Sequence, residues 1–276
     1  MAEVAIRRRD DVRTAWHLAR ASVRASVGTG PQVAMRTLGA ASIVVAEAIA
    51  IVILVGRFDD IGGWSAAQVA WLVGVANAGL GFGMLVGDAL EPPAFSNLIR
   101  EGRIDAALTR PLSPLAWVVT SDIQVRELGR GFAGLGVVAW ASVVAGADVT
   151  VLNLVITGLA VVATQVIVFS ILVIGAGITM FTIEGTELVN AFTYGGATMS
   201  SYPLQIYSSA MRAVFLYVIP LALAIYVPAL WVLDEQGPPG VPRELLAATP
   251  VAALAFAGFA ALCWRAGLRH YESTGS

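Results

Sequence analysis

The chain has 276 residues, of which 57% are apolar and only 13% are charged. Soluble domains carry roughly 25% charged residues, so this composition excludes an ordinary soluble protein and indicates a membrane protein. The net charge of −2 says nothing about nucleic acid, and no basic face supports its binding. One cysteine and two histidines give neither a disulfide framework nor a metal cluster.

All 17 basic residues are arginine, and lysine is absent. A chain without lysine has no P-loop lysine for a nucleotide phosphate, and no Schiff-base or general-base lysine. The sequence also lacks an H-E-x-x-H and a G-x-S-x-G motif. We therefore expect no catalytic residue and no metal in this chain, and if ATP drives the protein, another chain binds it.

The first predicted element is an amphipathic helix over residues 12–30. Its apolar residues recur at helical spacing: Val12, Trp16, Ala19, Val23 and Val27. Arg13, Arg20 and Arg24 occupy the other side. This pattern is typical of a helix lying in the membrane interface; the alternative is a solvated leader. An apolar core after Arg7–Arg9 is missing, so we do not expect a signal peptide.

Six stretches have the length of about 20 predominantly apolar residues that a membrane crossing requires. They cover residues 37–56, 66–87, 128–147, 151–178, 213–233 and 245–264. Residues 131–178 are too long for one crossing, and we divide them near Asp148. Residues 188–204 are short and polar, and we interpret them as an interfacial or re-entrant helix rather than a seventh crossing.

The arginines predict the orientation of these spans, because cytoplasmic loops carry an excess of positive charge. With six spans, 15 arginines fall on the side of both termini, Arg212 among them, and only Arg57 and Arg243 fall opposite. We therefore predict a multi-pass protein with both termini in the cytoplasm. Abundant Ala, Val, Gly and Arg without Lys is consistent with a GC-rich bacterial genome, and hence with the bacterial inner membrane.

The sizeable soluble segment is cytoplasmic and covers residues 88–127. Pro92-Pro93 is expected to end the second span and start a helix, with Ser96 or Asn97 as its cap. Gly102 is expected to end that helix, and Pro111 to end a further turn over residues 104–109. The segment either docks on a soluble partner or lies on the lipid headgroups as a plain connector.

Residues 102–114 (G-x-I-D-x-x-L-x-R-P-L-S-P) resemble the cytoplasmic signature of ABC-2-type permeases, in their compact six-span branch. Residues 202–207 (Y-P-L-x-I-Y), followed by Val218-Ile219-Pro220, resemble the approach to span five in that family. Thr109 departs from the pattern, because a more apolar residue is usual there.

The resemblance implies an all-α permease subunit of an ABC exporter, with a type V exporter-like fold, which moves a lipophilic or amphipathic substrate out of the cytoplasm. It implies a second permease, the same or homologous, and two ATP-binding cassette subunits that hold ATP and Mg. The residues expected to couple to these ATPases are Phe95, Leu98, Arg100, Glu101, Gly102, Arg103, Ile104, Asp105, Leu108, Arg110 and Pro111.

Glu47 is a formal charge deep in a predicted span, where an acidic residue costs roughly 2.5–3.5 kcal/mol. Its expected partner is Asn77 or Gln165. It belongs either to the substrate pathway or to a structural hydrogen bond between packed helices. The candidate pathway residues are Glu47, Asn77, Gln165, Phe215, Tyr217 and Tyr226.

Gly79, Gly83 and Gly87 lie on one face of the second span and predict close helix packing, with a hinge as the alternative. Two other functions stay open at this point. One is a proton-coupled secondary transporter that uses Glu47, and the other is a membrane scaffold protein.

Overall fold

The computed structural model describes residues 2–27, 30–58, 60–181 and 189–271, with side chains from residue 13 onward. The helices of these ranges are α1 (Ala2–Val27), α2 (Gly30–Phe58), α3 (Ala66–Gly87), α4 (Pro92–Arg100), α5 (Arg103–Leu108), α6 (Pro114–Ser121), α7 (Glu127–Val144), α8 (Val151–Thr179), α9 (Gly196–Ser200), α10 (Ser209–Ala213), α11 (Leu221–Val232) and α12 (Ala248–His270). Within the described ranges, β-pairing is limited to one bridge between Ile61 and Trp64. The all-α class is confirmed for this part of the chain.

Four helices among the described residues are long and apolar enough to cross a membrane. They are Gly30–Phe58, Ala66–Arg100, Val151–Thr179 and Arg243–His270, and a bent pair over residues 209–232 makes a fifth if it counts as one span. The helix α7 is shorter, at 18 residues, and its first turn contains two charged residues, Glu127 and Arg130. It ends at Val144 rather than at the expected residue 147, because Gly146 has a positive φ of 72° and ends the helix.

The helix α3 lies at the centre of the bundle and packs against α2, α7 and α8. Its most apolar 18-residue window is 83% buried. The three glycines predicted to pack, Gly79, Gly83 and Gly87, face Thr164, Val168 and Leu172 of α8. These contacts leave no room for a side chain on this face of α3.

A second glycine contact joins α3 to α7. A Cβ added to Gly134 of α7 would lie 2.5 Å from the backbone nitrogen of Ala78 and 2.7 Å from the carbonyl oxygen of Gly74. Two helices approach this closely only where both lack bulky side chains. The sequence pattern did not single out Gly74, Gly131 or Gly134.

The crossing expected over residues 213–233 is broken rather than continuous. Two helical pieces, Ser209–Val218 and Leu221–Val232, meet at an angle of 99°. Pro220 starts the second piece, and Ile219 before it is extended, with φ −122° and ψ 91°. Proline lacks an N–H and disfavours helix at the preceding residue, which explains the break.

Both ends of this bent pair lie at the same end of the bundle, which we call the Trp64 end because Trp64 precedes α3. Just before the pair, Ile206 lies beside Gly62: a Cβ added there would be 3.2 Å from Ile206 Cγ2. After the pair, Glu235 accepts a hydrogen bond of 2.6 Å from Gln68 Nε2 in the first turn of α3. The pair therefore leaves the Trp64 end and returns to it.

Residues 189–206 run the length of the bundle instead. Val189 packs against Gly175 near the end of α8, and the Tyr194 hydroxyl donates to Glu91 at 2.6 Å. Glu91 lies at the opposite end of α3, which we call the Asp88 end. Because Ile206 reaches the Trp64 end, residues 189–206 connect the two ends of the bundle; residue 188 of the expected interfacial or re-entrant helix lies outside the described residues.

Candidate functional site

The short helices α4 and α5 lie at the Asp88 end of the bundle. Pro92 is the first residue of α4, a position that suits its fixed φ and its missing N–H. Ser96 and Asn97 lie inside α4 and do not cap it, because the helix starts one turn earlier than expected. Gly102 follows α4 with φ 66° and turns the chain into α5, a conformation that glycine adopts readily.

The apolar face of this segment packs against the rest of the chain. Phe95 and Ile104 are fully buried, and Leu98 is 8% exposed. The Phe95 ring lies 5.7 Å from the ring of Trp264 on α12. These three predicted coupling residues therefore fix the segment to its own bundle, and they present no surface to another protein.

The opposite face of the segment is exposed. Its exposed predicted coupling residues are Arg100, Glu101, Arg103, Leu108, Arg110 and Pro111, which we call the Leu108 surface. Leu108 is 47% exposed, and the guanidinium groups of Arg103 and Arg110 lie 5.8 and 5.9 Å from the ring of Trp117. Stacking on an aromatic ring restricts both arginines, so an apolar side chain is presented among positioned positive charges.

Asp105, the remaining charged residue of the predicted set, is half-buried. It lies beside Tyr271, whose pKa is raised by burial and by the nearby carboxylate of Asp105. This contact joins α5 to the chain that follows α12, so Asp105 positions the Leu108 surface.

Ion pairs and backbone contacts tie the segment to α3 and α7. Arg126 Nη2 lies 3.0 Å from Asp88 Oδ1, and Arg126 Nε lies 3.1 Å from Glu127 Oε1. Burial raises the pKa of Asp88 to about 6, although Arg126 opposes the shift. The backbone N–H of Gln124 donates to the carbonyl of Leu85 at 3.0 Å. These contacts connect the segment to the end of α3.

The helix α1 is attached to the same segment. Two of its serines bond the backbone of Ile123: Ser22 Oγ accepts from the N–H at 2.8 Å, and Ser26 Oγ donates to the carbonyl at 3.0 Å. Trp16 and Val27 are 67% and 51% exposed. The apolar side of α1 is thus left uncovered while its serine side holds the segment.

A polar cavity of about 90 Å³ lies between α2, α3, α7 and residues 194–201. We call this space the Glu47 cavity. Its polar lining residues are Glu47, Asn77, Arg130, Tyr194, Thr198 and Ser201. Asn77 Nδ2 donates to Glu47 Oε2 at 3.0 Å and to the carbonyl of Val73 at 3.0 Å. The partner of Glu47 is therefore Asn77, one of the two that the sequence offered.

The other candidate pathway residues lie away from this cavity. Gln165 on α8 does not line it. Phe215 is buried beside Gly196, whereas Tyr217 is 64% exposed on the bent pair. Tyr226 is fully buried at the Trp64 end, where its hydroxyl donates to Gln205 at 2.8 Å. The six predicted residues thus do not form one site.

Sequence reasoning missed Arg130, Tyr194, Thr198 and Ser201. The last three recur at intervals of four and three residues, so they lie on one face of a helix. Their polarity argued against a buried helix, although the spacing was the signal that would have found them. Arg130 is at the start of a predicted span and was counted only as a cytoplasmic charge.

A family model described as an ABC-2 family transporter protein matches residues 41–275. Curated proteins and solved structures give no match to the chain. The matched range includes every residue of the Glu47 cavity and of the Leu108 surface.

Proposed function

The chain belongs to the ABC-2 transporter family, and on this premise we propose that it is the permease subunit of an ATP-driven exporter. The coarser conclusion, a multi-pass membrane permease of an ABC transporter, follows from the family match over residues 41–275 and from the long apolar helices. The exporter direction, the partners and the orientation are our proposals.

We propose six crossings with both termini in the cytoplasm of a bacterial cell, in a type V exporter-like arrangement. The crossings are α2, α3, α7, α8, residues 189–206 and α12, and the bent pair of residues 209–232 is a re-entrant element at the outer face. This assignment moves Arg212 to the outer side. Fourteen arginines stay at the cytoplasmic side against Arg57, Arg212 and Arg243, so the positive-inside rule still holds.

The Leu108 surface is the proposed contact with the ATPase. The observation that carries this proposal is an exposed apolar side chain among positioned arginines, on a segment fixed to α1, α3 and α12. Arginine is enriched at protein interfaces, and two ring-stacked arginines beside Leu108 give this surface a fixed pattern of charge around an apolar side chain. Two such permeases, the same or homologous, pair in the membrane, and each engages one ATP-binding cassette subunit, which holds ATP and Mg.

The proposed substrate is lipophilic or amphipathic. The long helices present wide apolar faces: α2 exposes Ile43, Ile49, Ile53 and Leu54. Few formal charges occur within the bundle, so a strongly ionic cargo would lose its hydration without compensation.

Affinity purification of the full-length chain from native membranes tests the proposal. We expect a chain with a P-loop and an ABC signature to copurify, and the reconstituted complex to transport only with ATP. Glu47→Gln should leave this ATP dependence intact. Transport driven by a pH gradient without ATP, and lost in Glu47→Gln, would instead identify a proton-coupled carrier.

A further inference from the structure

The Glu47 cavity combines two opposite formal charges that do not neutralise each other. Glu47 and Arg130 both line it, yet among the described residues they form no ion pair with one another. Arg130 Nε is buried and has no hydrogen-bond partner. A buried guanidinium N–H without an acceptor is costly, and Glu47 accepts a hydrogen bond from only one neutral amide, so a bound molecule could satisfy groups on both sides of the cavity.

The two sides of the cavity differ in hydrogen-bonding chemistry. Both N–H groups of Asn77 are used, one on Glu47 and one on Val73. Asn77 Oδ1 and Glu47 Oε1 therefore remain as acceptors. On the other side, the guanidinium of Arg130 supplies only donors. The cavity thus requires N–H donors with positive charge on one side and an anion on the other.

From this arrangement we propose that the Glu47 cavity binds the head of a zwitterionic amphiphile, a primary ammonium next to a phosphate. This inference rests on the proposed transport function and names its substrate class. The ammonium donates to Glu47 and Asn77, and the phosphate accepts from Arg130, whose planar donor group suits phosphate oxygens. Tyr194 and Thr198 belong to the same lining.

The apolar chain of the proposed amphiphile has a separate contact surface on the protein. Ile43 and Leu54 lie one turn before and two turns after Glu47 on α2, and they are 58% and 45% exposed. The cavity, at about 90 Å³, is too small for an acyl chain, so only the polar head enters it. The chain therefore lies along α2 in the bilayer.

Binding to the purified full-length protein in dodecyl maltoside micelles tests this assignment without ATP or a partner. The probes are a 12-carbon lysophosphatidylethanolamine, dodecyl phosphate, dodecylammonium and free phosphoethanolamine. The binding of each probe is measured by the shift that it causes in the unfolding midpoint of the protein. We expect the lysophosphatidylethanolamine to stabilise most and to bind at least tenfold more tightly than the two singly charged amphiphiles.

Two variants should change which of these amphiphiles binds most tightly. Arg130→Gln should weaken lysophosphatidylethanolamine at least tenfold and strengthen dodecylammonium, whereas Glu47→Gln should strengthen dodecyl phosphate. Arg265→Gln, an exposed position on α12 that lies outside the cavity and outside the Leu108 surface, should change none of these affinities. Both cavity variants remove an uncompensated charge, so we expect them to fold.

Equal binding of all amphiphiles, or binding unaffected by Arg130→Gln, would overturn the proposal. Equal binding of free phosphoethanolamine would overturn its assignment to an amphiphile. ATP-driven transport together with either result would refute this inference alone, while normal probe binding in a protein that never transports would refute only the proposed function.

Discussion

The backbone N–H of Ile123 donates to Ser22 Oγ of α1 at 2.8 Å, across 101 residues of sequence. Together with the bond from Ser26 Oγ to the Ile123 carbonyl, it attaches the amphipathic helix to the cytoplasmic segment. The Leu108 surface and α1 therefore belong to one mechanical unit.

Replacing both serines with alanine should release α1 from this segment. A buried N–H left without an acceptor costs roughly 1–3 kcal/mol, and partial burial places the expected loss at the lower end. Cleavage by an arginine-specific protease at Arg20 and Arg24 should become faster. Ser42→Ala, which removes an exposed hydroxyl on α2, is the control; equal cleavage of all variants would disprove the attachment.

Leu108→Asp should abolish binding of the ATPase without unfolding the permease, because Leu108 is 47% exposed. Ile104→Asp should act differently: it buries an unpaired charge in a fully buried position and destabilises the permease itself. Copurification yield and the unfolding midpoint of the isolated permease separate the two effects. Leu108→Met should keep the partner. A normal yield with Leu108→Asp would remove this surface from the interface.

A cysteine at Ser209, in a Cys263→Ala background, should react with a membrane-impermeant thiol reagent added outside the cell. The reason is that residues 206 and 235 both lie at the Trp64 end. A cysteine at Thr109 should stay unlabelled until the membrane is opened. Labelling of Ser209→Cys only from the inside would restore residues 213–233 as a crossing.

Gly134→Ala should destabilise the bundle by about 1–3 kcal/mol, because its Cβ would lie 2.5 Å from the backbone nitrogen of Ala78, which has no room to move. Gly136→Ala, two residues further along α7, meets nothing within 4 Å and should be neutral or slightly stabilising. Reversible unfolding in detergent measures both. Similar losses at the two positions would contradict the close approach of α3 and α7.

Stability should depend on pH through Asp88, whose pKa burial raises from 3.8 to about 6. The folded state then binds the Asp88 proton more tightly than the unfolded state does. The resulting stabilisation of the folded state is complete below pH 4 and is lost as the pH rises through 6. A shift of about two units corresponds to roughly 3 kcal/mol. Asp88→Asn should remove this part of the pH dependence of the free energy of unfolding, and Asp88→Glu should retain a pH dependence. Identical plots of unfolding free energy against pH for wild type and Asp88→Asn would refute the prediction.

Length and hydropathy were enough to predict α2, α3, α8 and α12, because a long apolar run has few alternatives. They predicted no long helix for residues 189–206, which are polar and yet connect the two ends of the bundle. Thr193 Oγ1 and Ser201 Oγ donate to the carbonyls of Val189 and Ala197, each at 2.8 Å. Hydroxyls satisfied within their own helix do not require water, so a polar composition did not mean an exposed segment.

The candidate site was predictable in part. The sequence offered two partners for Glu47, and only the register of α2 against α3 selects Asn77 over Gln165. The apolar residues of the cytoplasmic segment were equally ambiguous. A pattern that places Phe95 and Ile104 on one face does not state whether that face meets another protein or the same chain, and here it meets the same chain.

The burial of α3 on all sides imposes an order on biogenesis. Its neighbours α7 and α8 are synthesised later, since α8 ends at Thr179 while α3 ends at Gly87. Helices insert individually before they associate in the bilayer, so the glycine faces of α3 first contact lipid. The nascent chain completes its central contacts only after more than half of it has left the ribosome, and until then α3 is the helix that a membrane chaperone or quality-control protease would recognise.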